Sequence, residues 1–252
     1  MTKFSANLGF LWKELSLPDA IRAAKAAGFD AVECHFPYDT PKEDVIAALK
    51  QTGLRMLGIN TVPGAGSGLA ALCGQEEEAK KAIDQAIQYG RQIGIRHIHV
   101  MAGIAEGEDA HQCFVGNLQY AAQQAGESGI NIVIEPLNPI DAPGYFLNST
   151  FQAAGIIAEI GVPNLKLMFD CYHVQLIEGN LTNRLKELMP IIGHIQFASV
   201  PDRGPPDTGE VDYQHIFQCI ENCEWSVPLG AEYRPSGDTA DSLGWLTQYG
   251  DV

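Results

Sequence analysis

No apolar run in this 252-residue chain approaches the roughly 18 to 20 residues of a membrane-spanning helix. Its first residues, MTKFSANLGFLWKELS, lack the apolar core and small-residue cleavage site of a secretion signal. A cytosolic location is therefore expected. Positive charge is also scarce: 16 Lys and Arg stand against 31 Asp and Glu, for a net charge of −15. That balance repels a phosphate backbone and anionic lipid headgroups, so neither nucleic acid nor a membrane is an expected partner. No C-x-x-C pair occurs among the six cysteines, Cys34, Cys73, Cys113, Cys171, Cys219 and Cys223. In a chain too large to need a disulfide framework, they are expected to be reduced, mostly buried small hydrophobes. No G-x-G-x-x-G follows the first apolar run. The nearest stretch, PGAGSG at residues 63–68, comes after the third run and precedes an acid-rich segment that opposes phosphate. It is expected to be a flexible loop.

What the chain does contain is an eightfold repetition of a helical stretch, a glycine, a short β-rich run and a polar loop. The candidate strands are residues 4–10, 31–36, 55–60, 97–102, 131–136, 166–171, 194–199 and 229–234. Stretches such as PKEDVIAALKQTGLR and DYQHIFQCIENCEW carry helix formers at 3.6-residue spacing between them. No linker, low-complexity segment or change of composition divides the chain. The expected fold is α/β, a single (β/α)8 TIM barrel spanning residues 1–252 as one domain. Barrel helices with exposed apolar residues often pair copies of a chain, so a homo-oligomer is compatible with this reading.

Three of the apolar runs end on an acid: NIVIEP on Glu135, KLMFDC on Asp170 and LGAEYR on Glu232. Gln196 lies in the seventh run, HIQFAS. In a barrel the C-terminal ends of all strands open into one mouth, which brings together these four oxygen donors from four consecutive strands. Three carboxylates so close repel one another unless a cation sits between them, and hard oxygen donors suit Mg²⁺ or Mn²⁺. The alternative for each acid is that it caps the following helix or pairs with an Arg such as Arg234. His173 follows Asp170 by three residues at a strand exit, where its imidazole can meet a substrate. Arg203, in the Pro- and Gly-rich loop SVPDRGPPDTGE, is the cation that an anionic substrate needs. His97 and His99 alternate and so share one face; if that face is the interior, His99 lines the site floor.

At these residues the sequence resembles the hydroxypyruvate isomerase family, within the xylose isomerase-like superfamily of metal-dependent barrels. The resemblance covers nearly the whole chain, through ANLGFLW, GFDAVECHFPY, NTVPG, HVMAG, EPLN, DCYHVQ with EGNL, HIQFASVPDRGPPDTGE with DY, and EYRP. It implies that Glu135 and Glu232 form the acid and base pair while also binding the metal, with Asp170 and Gln196 completing the metal site. His173 and Arg203 are implied as substrate contacts. Related epimerases carry His at the position of Gln196, which leans the reading toward an isomerase of hydroxypyruvate and 2-hydroxy-3-oxopropanoate. The alternatives are a 2-oxo-tetronate isomerase or ketose 3-epimerase acting on a longer substrate, a small 2-oxo acid or ketose being the expected ligand in every case. An abasic-site nuclease, also known on this fold, needs a basic DNA face that a charge of −15 does not supply. A binding protein that had lost turnover is opposed by the intact acids.

Overall fold

The computed structural model describes residues 2–250. Its strands are β1 (Phe4–Asn7), β2 (Ala31–Glu33), β3 (Gly58–Asn60), β4 (His97–His99), β5 (Asn131–Ile134), β6 (Leu165–Asp170), β7 (Ile192–Phe197) and β8 (Leu229–Ala231). The helices are α1 (Leu17–Ala27), α2 (Lys42–Thr52), α3 (Glu76–Ile93), α4 (Gly107–Gly126), α5 (Thr150–Ile160), α6 (Cys171–Ile177), α7 (Leu181–Leu188), α8 (Tyr213–Asn222) and α9 (Gly244–Gly250). The strands form one parallel sheet in the order β2-β1-β8-β7-β6-β5-β4-β3. Across the remaining seam, the Val32 N–H donates to Arg55 O at 3.0 Å and the Leu57 N–H to Val32 O at 2.7 Å. A parallel bridge between Val32 and Met56 completes the barrel. All eight expected strands are present within the expected segments or a residue or two beyond them.

Local chemistry sets the element boundaries. Ser16 and Ser149 accept backbone N–H groups at the starts of α1 and α5, satisfying donors that have no partner inside the helix. Gly28 and Gly53 close α1 and α2 in the left-handed conformation, which costs a residue without Cβ little. One element departs from expectation. Residues after Asp170, read as a strand exit, begin α6 at once, because Asp170 Oδ1 accepts the Tyr172 N–H at 2.9 Å. The carboxylate that ends β6 also caps the next helix.

Alternation along the strands divides the interior. Outward residues such as Ile98, Ile132, Phe169, Ile195 and Phe197 are fully buried against the helices. Trp245 of α9 packs edge-on against Phe4 and Phe197 with ring centroids 5.1 and 5.4 Å away, docking the last helix on the barrel. Inward residues include Ser5, Asn7, Glu33, His97, His99, His194 and Gln196, all buried. His97 and His194 lie on strands that are not neighbours, yet their ring centroids are 4.5 Å apart. They meet across the lumen.

One expectation is corrected. Cys73 and Cys113 form a disulfide with Cα atoms 5.8 Å apart, because the loop after β3 folds over the first half of α4 across a sequence separation of 40. Cys34, Cys171 and Cys219 are free and buried as expected, and Cys223 is half-buried. The glycine-rich loop at 63–68 is pinned at its end by an antiparallel bridge from Gly68 to Ala102. Ala71 N–H adds a bond to Ala102 O at 2.7 Å. Among the described residues no helix is long and apolar enough to cross a membrane.

Candidate active site

Glu135 and Glu232 stand immediately after β5 and β8, Asp170 ends β6 and Gln196 is the penultimate residue of β7. All four are at most 5% exposed. The strand ends are held in register by the ladder that pairs Asp170 with Gln196 and Gln196 with Gly230. Three of their oxygens, Glu135 Oε1, Asp170 Oδ2 and Gln196 Oε1, are buried with no hydrogen-bond partner among the described residues. Leaving one such atom unsatisfied costs about 1 to 3 kcal/mol, and a cation held between them would remove that cost.

The remaining carboxylate is fully engaged. Glu232 Oε1 accepts Asn7 Nδ2 at 2.7 Å and lies 2.9 Å from His35 Nε2, while Oε2 accepts Arg203 Nη2 at 2.7 Å. Burial raises its pKa, but Arg203 and His35 outweigh that and hold it at about 2. Glu135 faces the opposite balance: burial and the neighbouring Glu232 and Asp170 push its carboxyl well above the usual range. Asp170 is pushed up to about 7, chiefly by burial and against the attraction of Arg203.

His173 belongs to this cluster, although from α6 rather than a loop. Its Nδ1 accepts the Asn138 backbone N–H at 3.0 Å and lies 2.8 Å from Asn138 Nδ2. Burial holds the ring at about 3, hence neutral. Because Nδ1 is an acceptor, the proton of the neutral ring sits on Nε2, which faces Asp170 Oδ2 at 3.7 Å and Glu135 Oε1 at 3.9 Å. His173 thus presents a donor to the site and no lone pair for a metal. Asn138 Oδ1 is itself fixed by the N–H groups of Ile140 and Asp141.

Arg203 comes from the loop after β7 and adopts a left-handed φ of 54°. Its guanidinium lies between the rings of Phe10 and Tyr172, 4.8 and 4.9 Å from their centroids. Nη1 is 3.5 Å from Asp141 Oδ2. Arg234, the alternative partner considered for the acids, is exposed. His99 stands with Nδ1 3.4 Å from Glu135 Oε2, and burial lowers it to about 4.

Residues that the sequence reading missed are Asn7, Glu33, His35, Asn138, Asp141 and His194. Glu33 carried the same signal as the others, an apolar run ending on an acid, in AVECHF. Asn138 closes EPLN, the segment that begins on Glu135.

The donor set at the mouth fits a hard divalent cation: three carboxylates and one amide oxygen on consecutive strands, with three of those oxygens making no hydrogen bond. A family model described as xylose isomerase-like TIM barrel matches residues 21–249. A 2-oxo-tetronate isomerase of Cupriavidus necator is 41% identical, with 99% of each chain covered. The chain belongs to the hydroxypyruvate isomerase family of xylose isomerase-like TIM barrels. The hydroxypyruvate isomerase of Escherichia coli is 37% identical, over 99% of this chain and all of that one. A solved structure titled AP endonuclease, family 2, from Brucella melitensis superposes with a TM-score of 0.95 at 35% identity, over 99% of both chains. A D-allulose 3-epimerase from Methylomonas, 18% identical with a TM-score of 0.83 over 99% of this chain and 96% of that one, shares the fold. This member of the family is an isomerase, as its full-length curated relatives are.

Proposed function

We propose that the chain interconverts hydroxypyruvate and 2-hydroxy-3-oxopropanoate through an enediolate, with Mg²⁺ or Mn²⁺ held by Glu135, Asp170, Gln196 and Glu232. The observation that carries this reading is the burial of Glu135, Asp170, Gln196 and Glu232 at the ends of four consecutive strands, with Arg203 donating to Glu232. Glu232, accepting from Asn7, His35 and Arg203, stays ionised and is the base. It takes the proton from C3 of hydroxypyruvate, next to the carbonyl. Glu135, at the end of β5, returns a proton at C2, and the hydroxyl proton moves between the two substrate oxygens. In the reverse direction the two exchange roles. A bound divalent ion supplies positive charge against the oxygens that become negative as the carbon–hydrogen bond breaks. His173 donates from Nε2 to a substrate oxygen, and Arg203 meets the substrate carboxylate through its guanidinium fork. Acid and base help of this kind contributes about 10² to 10⁴ in rate.

A second reading is supported by the 41% identity to the Cupriavidus necator 2-oxo-tetronate isomerase: the same groups acting on a four-carbon 2-oxo acid. A nuclease role, the name on the Brucella structure, meets a net charge of −15, which opposes DNA. The test is to strip the protein with chelator, restore Mg²⁺ or Mn²⁺, and follow hydroxypyruvate by NMR in D₂O. Ion-dependent formation of 2-hydroxy-3-oxopropanoate is expected. An ion-loaded protein that leaves hydroxypyruvate untouched and converts the four-carbon acid would replace the first reading with the second.

A further inference from the structure

Below the four oxygen donors the lumen holds a second polar layer. Glu33 is 3% exposed and reaches from β2 across to β7, where its Oε2 lies 2.7 Å from His194 Nε2. The same oxygen accepts Gln196 Nε2 at 3.4 Å. The ring of His97 stacks on that of His194 with planes 34° apart. Room for this layer exists because two inward positions carry no side chain. A Cβ on Gly230 would lie 2.0 Å from Glu33 Oε1 and 2.8 Å from Gln196 Cγ, and one on Gly58 would lie 2.1 Å from His97 Nε2.

A glutamine side chain has two ends of nearly equal size, one an acceptor and one a donor. Only the acceptor can serve a cation. An ionised carboxylate accepts and never donates, so a Glu33 carboxylate bonds the NH₂ end of Gln196 and turns Oε1 the other way. Gln196 Oε1 is indeed buried without a partner. We propose that Glu33, anchored by His194, is the positioning residue that sets the orientation of the Gln196 amide and presents Oε1 to the ion. This inference rests on the metal reading of the mouth. It gives a task to a buried carboxylate that the reaction itself does not use, and partners beneath a metal ligand commonly tune affinity in this way. Glu33, His97 and His194 also offer three donor atoms within 4.8 Å of one another, a spacing a second ion could use. The close His194 to Glu33 hydrogen bond already commits two of them.

The experiment titrates Mn²⁺ into chelator-stripped, full-length protein by calorimetry and electron paramagnetic resonance, without substrate, with circular dichroism reporting folding. Wild type should bind one ion per chain. Glu33→Gln keeps the size of the side chain but lets the introduced amide face Gln196 with either end, and should weaken Mn²⁺ about 10- to 100-fold. Adding Gln196→Glu to that variant exchanges carboxylate and amide; a carboxylate at 196 has no wrong end, so affinity should recover. This double variant carries the test where Glu33→Gln alone does not fold. A single substitution with wild-type affinity, a loss that the exchange does not recover, or two ions per wild-type chain would each overturn the positioning role. Wild type that binds no Mn²⁺ would instead overturn the metal reading on which it rests.

Discussion

Arg203 donates from Nη2 to Glu232 Oε2 at 2.7 Å and holds the same nitrogen 3.5 Å from Asp170 Oδ2. One guanidinium thus opposes two carboxylates whose burial would otherwise drive them toward the neutral form. Its attraction holds Glu232 at about 2, while Asp170, with less of it, stays near 7. The pair explains how two buried carboxylates, on strands separated by β7, coexist and remain different from one another.

Replacing Arg203 with Met keeps much of the aliphatic stem between Phe10 and Tyr172 but leaves Glu232 without its strongest counter-charge. Removing one partner of a buried ion pair costs about 3 to 5 kcal/mol. The ion-stripped variant should therefore melt well below wild type, and added Mn²⁺ should close most of the gap. Substrate KM should rise in the ion-loaded variant. Equal melting of the two ion-stripped proteins would remove Arg203 from this role.

Glu135→Gln and Glu232→Gln should each reduce turnover at least about 10²-fold, and they should differ in hydrogen exchange. With hydroxypyruvate in D₂O, the Glu135 variant still exchanges the C3 hydrogen, because the base remains, but forms no product. The Glu232 variant loses both. Exchange retained by the Glu232 variant and lost by the Glu135 variant would reverse the assignment.

Stability should respond to pH through the ion. Asp170 and Glu135 have folded pKa values above their unfolded values of about 4. Their contribution to the ion-free fold is full below that value and is lost as pH rises through about 7 for Asp170. Glu232 runs the other way: its contribution is present above the ordinary carboxylate range and lost as pH falls toward about 2. An ion competes with protons on Asp170 and Glu135, so Mn²⁺ should raise the melting temperature more at pH 8 than at pH 5. Calorimetry near neutral pH in buffers of different ionisation enthalpy should register proton release on binding. A melting shift independent of pH would contradict the raised carboxyls.

The closing helix offers a test of stability alone. Trp245 is fully buried, packs on Phe4, Phe29 and Phe197, and donates from Nε1 to the Tyr233 hydroxyl at 3.2 Å. Trp245→Ala should cost about 3 to 5 kcal/mol, read as a lowered denaturation midpoint. Because the aromatic cluster lies on the outer face of the barrel, away from the inward-facing donors, the Mn²⁺ affinity of the folded variant should remain that of wild type.

The sequence by itself determined the eight repeats and the acids that close three of them. Those signals are local: the period of apolar residues, a glycine after a helix, a carboxylate at the end of an apolar run. Glu33 was equally legible, since AVE ends as the other runs do, although the family resemblance carries no role for it. Tertiary structure alone decided which cation meets Glu232, how Asn138 fixes the proton on His173, that His99 stands beside Glu135, and that Cys73 finds Cys113. Each is a contact between segments far apart in the chain, and the glutamate to histidine bond under Gln196 spans 161 residues across the lumen. Periodicity tells which face a side chain takes, whereas the partner on the other side of a barrel follows only from its closure.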